Sequence, residues 1–190
     1  KKCPDMESAY APKPTQRFIA REGYPFILAC VAACALSSFF SYTLTALWVG
    51  VGLFVAFFFR NPKRVAPEDG ELIVSPADGR ICTIEELDDS PHIGGPAMKV
   101  SIFMSVLNVH VNRMPIAGKI SEVVYKPGKF VVASLDKASE HNEQNILVLE
   151  RLCGRRLAVV QIAGLIARRI VCYVKPGDDL NVGERLGLIR

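Results

Sequence analysis

The sequence predicts a mostly β protein: a compact, barrel-sandwich-like β domain preceded by an N-terminal α-helical transmembrane hairpin. Half of the 190 residues are hydrophobic, and much of that excess falls in the run from Gly23 to Phe59, which carries no charge. After Pro67 the pattern changes to short apolar runs separated by Gly- and Pro-containing turns. No long helical period follows, so the remainder is expected to be β-rich.

The uncharged run is longer than the ~20 residues that one membrane-crossing helix needs. Its most polar part, residues 37–43, lies in the middle. We therefore predict two helices, over about 24–38 and 43–59, joined by a tight turn, with one long tilted helix as the alternative. Basic residues flank both ends of the run. Because Lys and Arg are enriched on the cytoplasmic side of membrane helices, this predicts that both ends lie in the cytoplasm. The flanking residues are Arg17, Arg21, Arg60, Lys63 and Arg64.

Composition divides the chain into three parts. Residues 1–16 contain Pro but no apolar periodicity and are predicted to be a flexible arm. Residues 17–64 form the predicted membrane anchor, and residues 65–190 are predicted to form a β-rich domain. The net charge of +4 suits contact with anionic phospholipid but is too dispersed to predict nucleic-acid binding. The six Cys show no CxxC pair and no metal-ligand spacing, which predicts a reduced protein without a metal site.

The segment 104–118 is the strongest candidate for a functional site. It places His110, Asn112 and Arg113 within four positions, which combines a proton carrier, an amide and an anion-binding guanidinium. Strand alternation would put His110 and Asn112 on one face. A lone strand His is more often structural than catalytic, so the local pattern leaves both roles open.

The other candidate residues are weaker on local grounds. Asp78 precedes Gly79, which is common turn chemistry. His141 lies in a polar loop and is a candidate to line a pocket, whereas His92 is expected in an exposed loop. The sequence contains no GxSxG elbow, no Gly-rich phosphate loop and no HExxH, so ordinary hydrolase and metalloprotease chemistry is not indicated.

Six motifs in order carry a resemblance that covers the chain from about residue 17 to its end. They are Phe-Phe-Arg-Asn-Pro-Lys-Arg (58–64), Ser-Pro-Ala-Asp-Gly (75–79), Val-His-Val-Asn-Arg-Met-Pro (109–115), Tyr-Lys-Pro-Gly-Lys-Phe (125–130), Asn-Glu-Gln-Asn (142–145), and Val-Lys-Pro-Gly-Asp (174–178) followed by Gly-Glu-Arg-Leu-Gly-Leu-Ile-Arg (183–190). Each motif alone is weak. Together they resemble the phosphatidylserine decarboxylases, in their short membrane-anchored bacterial form.

The resemblance implies a proenzyme that cuts itself before a Ser, which becomes a covalent pyruvoyl group on a short second chain, the α chain. In the family a Gly-Ser lies just past the segment matching 186–190, so this sequence corresponds to the larger β chain. The substrate amine would form a Schiff base with the pyruvoyl carbonyl, CO₂ would leave, and protonation of the carbanion would convert phosphatidylserine to phosphatidylethanolamine.

The implied partners are the α chain and an anionic phospholipid membrane, and the implied location is the cytoplasmic side of the bacterial inner membrane. Whether two αβ units pair as a homodimer stays open.

Two residues match catalytic positions of the family. Asp78 corresponds to the Asp of an Asp-His-Ser self-cleavage triad, and His110 corresponds to the first His of a His-x-x-His-Met-Pro pattern. The second His is replaced by Arg113, which cannot act as a base. We therefore hypothesise that His110 serves both self-cleavage and decarboxylation. Asn112, Arg113 and His141 are expected to hold the substrate carboxylate or phosphate.

Two other classes of protein are alternatives. The order of Ser75–Gly79, Lys99 and the Gly183 motif resembles a biotinyl carrier domain, with Lys99 as the biotin site. The spacing argues against this, since Lys99 and Gly183 lie about a whole carrier domain apart and Lys99 leads into a strand. A non-enzymatic membrane adaptor built on such a β domain is the third possibility.

Overall fold

The computed structural model describes residues 17–67, 72–130, 141–151 and 154–190. The predicted arm, residues 1–16, lies outside them. The described residues divide into two compact units. One holds residues 17–63 with 107–109, and the other holds 64–106 and 110–190.

The first unit is a pair of antiparallel helices, α1 (Tyr24–Ser37) and α2 (Tyr42–Phe58), after a short 3₁₀ turn. The helices meet along their length, and near the turn the Ser37 and Thr45 hydroxyls lie 3.1 Å apart. Ser41 is extended and its side chain caps α2 by accepting from the Leu44 N–H. The two helices thus begin and end within about a residue of their predicted positions, and the single long helix is wrong.

The transmembrane part of the prediction is not supported. The helices have 14 and 17 residues, which corresponds to about 21 and 26 Å at about 1.5 Å per residue, against a hydrocarbon core of about 30 Å. Within the described ranges, no helix combines the length and the apolar character that a membrane crossing requires. The turn at residues 38–41 is what divides the apolar run into two pieces of this length.

The second unit is mostly β, as predicted, and its described strands form three antiparallel sheets. A two-stranded ribbon pairs β1 (Arg80–Leu87) with β2 (Ala97–Phe103). A three-stranded sheet has the order β3 (Val111–Arg113), β9 (Arg185–Ile189), β7 (Ile170–Cys172). A four-stranded sheet has the order β6 (Arg156–Ile162), β5 (Gln144–Glu150), β4 (Gly118–Lys126), β8 (Asp179–Leu180).

The three- and four-stranded sheets share one hydrophobic core. Alternate residues of β5 and β6 point inward, and Leu186 of β9 meets them from the other sheet. A fully buried Leu contributes about 1.5–3 kcal/mol, so this cluster holds the two sheets together. Its members are Met114, Ile120, Leu147, Leu149, Val159, Leu180 and Leu186.

The acidic and then Gly- and Pro-rich run at residues 85–97 predicts a loop, but β1 extends into it to Leu87 and pairs with β2 as far as Ala97. Glu85 and Lys99 lie opposite each other on the two strands, and their side chains pair at 2.9 Å. Lys99 therefore lies inside β2 and not at a hairpin tip, which removes the placement that a biotin site needs. The apolar start of the segment 104–118 predicts a strand, but β2 ends at Phe103 and residues 104–110 form an irregular connection with a turn at 106–107.

Close approach of the two sheets requires Gly at position 187, and this predicts a large effect of Gly187→Ala. A Cβ there would overlap the Val171 carbonyl and lie 2.8 Å from the Gln161 amide nitrogen. We expect the free energy of unfolding to fall by about 1–3 kcal/mol in urea denaturation. Gly50→Ala is the control, since a Cβ there meets nothing within 4 Å. Equal stability of Gly187→Ala and the wild-type chain would contradict the packing described.

Candidate active site

His110 is buried, only 3% exposed, immediately before β3. Its carbonyl accepts a hydrogen bond from the Ile189 N–H at 3.2 Å. In the β3–β9 pair Val111 lies opposite Leu188, so His110 lies beside the end of β9. The next residue, Arg190, exchanges two backbone hydrogen bonds with Arg169, at 2.6 and 2.8 Å. The segment 186–190 is thus held on both sides, with His110 next to it.

Asn112 belongs to a buried chain of side-chain amides, defined here as the amide chain Asn145–Gln161–Asn112. The Asn145 Nδ2 donates to the Gln161 Oε1 at 2.9 Å, and the Gln161 Nε2 donates to the Asn112 Oδ1 at 2.8 Å. All three side chains are at most 4% exposed. The Asn112 Nδ2 in turn faces the Met104 sulfur at 3.7 Å. The amide chain links β3 to β6 and β5, and therefore links the two large sheets.

Arg113 points instead into a cleft of about 160 Å³, which Arg64, Asp78, Val111 and Gly183 also line. The Arg113 N–H donates to the Pro76 carbonyl at 2.8 Å, and its Nη1 donates to the Gly183 carbonyl at 2.9 Å. Arg64 donates from its Nη2 to the Asp78 Oδ2. These bonds hold the turn at residues 75–79 against β3.

The cleft carries an excess of positive charge. Burial lowers the pKa of Arg113, and the charges of Arg64 and Arg185 lower this pKa further, while the Asp78 carboxylate raises it. Among the residues that line the cleft, one carboxylate, that of Asp78, thus lies with two guanidinium groups, those of Arg64 and Arg113. A carboxylate or phosphate that entered the cleft would be attracted by the remaining charge.

The structure therefore separates the predicted site residues. Val111 and Arg113 line the cleft with Asp78, while Asn112 between them joins the amide chain, because successive strand side chains point to opposite faces. His110 is not among the residues that line the cleft. His141 is exposed and is also not among the residues that line the cleft. Its backbone carbonyl accepts a hydrogen bond from the Lys129 N–H at 2.7 Å.

The basic residues of the predicted membrane anchor differ in what they contact. The Arg60 guanidinium donates to the Phe57 and Leu107 carbonyls at 2.8 and 2.7 Å and lies 3.8 Å from the centre of the Phe57 ring. Arg64 is paired with Asp78. Exposed side chains remain on Arg17, Arg21 and Lys63. Over the residues that the structure covers, no three His, Cys, Asp or Glu side chains are grouped to hold a metal ion.

Gln161 and Asn145 are site residues that the sequence analysis did not single out as functional. A signal for Gln161 is present in the strand pattern. Val159, Gln161 and Ala163 alternate on one buried face, and a polar residue on such a face must find buried hydrogen-bond partners. Asn145 lies in the motif at residues 142–145, which carried part of the family resemblance. Its partner Gln161 lies on another strand, so the motif alone does not reveal the contact.

Comparison with known proteins assigns the family. The family model described as phosphatidylserine decarboxylase matches residues 51–190. A phosphatidylserine decarboxylase proenzyme of Syntrophus aciditrophicus is 49% identical over 178 residues, which is 91% of this chain and 82% of that protein. A proenzyme of the same name from Xanthobacter autotrophicus is 52% identical, over 90% of this chain and 75% of that protein. The chain belongs to the phosphatidylserine decarboxylase family.

The Arg64–Asp78 ion pair predicts only a small contribution to stability. Its side chains are 46% and 39% exposed, and pairs this exposed contribute about 0.2–1 kcal/mol. A double-mutant cycle with Arg64→Met and Asp78→Asn in urea denaturation should give a coupling in that range. The Lys99–Glu85 pair, 43% and 46% exposed, is a matched control. A coupling above about 2 kcal/mol, well outside that range, would contradict the assignment of a weak pair.

Proposed function

We propose that this chain is the β chain of a phosphatidylserine decarboxylase, which converts phosphatidylserine to phosphatidylethanolamine after self-cleavage of a proenzyme. Family membership supports the reaction, and the word proenzyme in the names of the relatives supports a partner chain from the same precursor. The observation that carries the proposal is the position of His110 beside the segment 186–190. In the family the cleaved bond lies just after this segment.

The cofactor we propose is a covalent pyruvoyl group formed from a Ser of the partner chain. The carbonyl of such a group would react with the substrate amine and would accept the electron pair that CO₂ leaves behind when it departs. The residues of this chain fit that role. His110 provides a buried proton carrier next to β9, and the Asn112 Nδ2 provides a donor whose present partner, the Met104 thioether, is a weak acceptor.

His110 is proposed to act twice. As a base it would take the hydroxyl proton of the attacking Ser during self-cleavage, and later it would donate a proton to the substrate carbon. Asp78 is proposed to orient the imidazole in the first step. In this structure the Asp78 carboxylate bonds to Arg64 in the cleft, which His110 does not line, so this role requires the turn at residues 75–79 to rearrange as well as the Arg64 pair to open.

The cleft is proposed to hold the anionic part of the headgroup. Arg113 and Arg64 supply guanidinium groups that suit a phosphate or carboxylate. His141 stays a proposed substrate-binding residue, although its exposed position gives it no contact with the cleft.

An intact mass spectrum of the full-length protein tests the proposal. We expect two chains, the smaller of which lacks an amino-terminal amine and gains mass with borohydride and an amine. His110→Ala should stay a single chain and release no CO₂ from phosphatidylserine, because both steps lose their proton carrier.

His92→Gln is the control for this variant, since His92 lies in a turn of the ribbon, away from β3. It should cleave and decarboxylate normally. Normal self-cleavage of His110→Ala would refute the double role of His110. A wild-type protein that stays a single chain and has no decarboxylase activity would refute the proposed function itself.

We also propose that the helical hairpin contacts an anionic phospholipid membrane, with the enzyme on the cytoplasmic side of the bacterial inner membrane. The hairpin exposes large apolar side chains, including Phe39 at 83% and Phe40 at 79%. Arg17, Arg21 and Lys63 are exposed cations near its base. Exposed apolar patches of this kind are typical of interaction surfaces, and the adjacent cations suit lipid phosphates.

Vesicle binding tests the membrane contact. The double variant Phe39→Ser/Phe40→Ser should bind phosphatidylglycerol-containing vesicles more weakly than the wild-type protein in cosedimentation, by about tenfold or more. Two large apolar rings that would be buried in the membrane interface are lost in this variant. Val65→Ser is the control, because Val65 is 97% exposed but lies outside the hairpin. Equal binding of the two variants would contradict a role of the hairpin.

A further inference from the structure

We propose that Gln161 is a positioning residue that fixes the direction of the Asn112 amide, so that its NH₂ group is presented to an acceptor oxygen in the active site. This inference rests on the proposed function. It concerns Asn145 as well, which occupies the far end of the same amide chain.

The amide chain has a direction. Each amide donates from its nitrogen to the oxygen of the next, from Asn145 to Gln161 and from Gln161 to Asn112. Because Gln161 donates to the Asn112 Oδ1, the Asn112 Nδ2 must point the other way. Reversing any one amide would oppose oxygen to oxygen or nitrogen to nitrogen within a site that is at most 4% exposed. An unsatisfied polar group there costs about 1–3 kcal/mol, so no one of the three amides turns without the other two.

The Asn112 NH₂ group, at the donor end of the amide chain, has only a weak acceptor. The Asn112 Nδ2 faces the Met104 sulfur at 3.7 Å, and a thioether is a weak acceptor. Met104 is only half-buried, and its unbranched side chain is flexible. It can therefore give way to an oxygen, which would make a stronger hydrogen bond with a donor that is already oriented.

The oxygen in question is a carboxylate or carbonyl oxygen, and two sources supply it in this protein. One is the substrate carboxylate, and the other is the carbonyl of the peptide bond that is cut during self-cleavage. Neither Gln161 nor Asn145 needs to touch either one, since both act through Asn112.

Gln161→Glu tests the direction of the chain. An ionised Glu only accepts, so Asn112 would have to turn its NH₂ toward position 161 and present its oxygen at the Met104 end. A protonated Glu regains a donor and restores the original direction. Burial raises the pKa of a Glu, so the defect should be present at high pH and disappear as the pH falls through that pKa.

The expected result is a loss in rate on the order of 100- to 1,000-fold at pH 8, the scale of losing one oriented donor, with recovery toward the wild-type rate as the pH is lowered. Asn145→Asp should give the same pH dependence from the far end, because Gln161 would turn its NH₂ to the new carboxylate. Both substitutions place a carboxylate in the same buried amide chain, so circular dichroism at each pH must show that the variants stay folded.

Two variants serve as matched controls. Gln161→Met removes the amide without adding an ionisable group, so any defect should be independent of pH. Val159→Ala, on the same face of β6, should lower stability without changing the pH profile. Each variant is made in the full-length proenzyme, and its fold is checked by circular dichroism.

Two readouts distinguish the sources of the oxygen. The rate of self-cleavage, followed on gels, reports on the peptide carbonyl, and kcat/KM for phosphatidylserine reports on the substrate carboxylate. In the wild-type protein, the Asn112 side-chain NH₂ resonance should also shift when glycerophosphoserine is added, if the substrate carboxylate is the acceptor.

The inference is overturned if Gln161→Glu and Asn145→Asp keep the wild-type pH profile in both readouts, or share the pH-independent defect of Gln161→Met. If neither variant folds, an Asn112 resonance that stays unchanged with glycerophosphoserine, together with normal self-cleavage of Asn112→Ser, overturns it instead. A wild-type protein without decarboxylase activity is a different result, which refutes the proposed function.

Discussion

The hydrogen bond from Gln161 to Asn112 is the contact on which the arrangement of the site depends. It joins β6 of one sheet to β3 of the other in a place where water cannot replace either partner. A buried amide that loses its partner costs about 1–3 kcal/mol, so the bond constrains the register of the sheets as well as the side chains. Gly187 makes the contact possible, because any side chain there would occupy the space of the Gln161 amide.

The two faces of β3 therefore contact different parts of the structure. One face contributes Asn112 to the amide chain, and the other contributes Arg113 to the cleft that also holds Asp78. Arg113 stands where the family pattern has its second His, and a guanidinium binds anions but does not exchange protons at neutral pH. Under the function proposed above, proton transfer is assigned to His110 and anion binding to Arg113. The two proposed roles then fall on residues only three positions apart.

The helical hairpin combines exposed apolar side chains with helices that are short. Its helices expose apolar side chains over most of their surface, and exposed apolar surfaces of this kind are typical of interaction sites. Yet both helices are shorter than the hydrocarbon thickness of a bilayer. The absence of charge from Gly23 to Phe59 specified where the helices lie, and the polar turn in the middle specified how long each can be.

The sequence by itself determined the elements whose signals are local. The charge-free run with its polar centre predicted both helices, the short apolar runs after Pro67 predicted a β-rich domain, and six ordered motifs indicated the family. Only the tertiary structure decided which residues meet. It paired Asp78 with Arg64, brought Gln161 and Asn145 to Asn112, and placed His110 beside Ile189. These contacts join residues far apart in the chain, and their geometry depends on strand register and sheet packing, which no short stretch of sequence specifies.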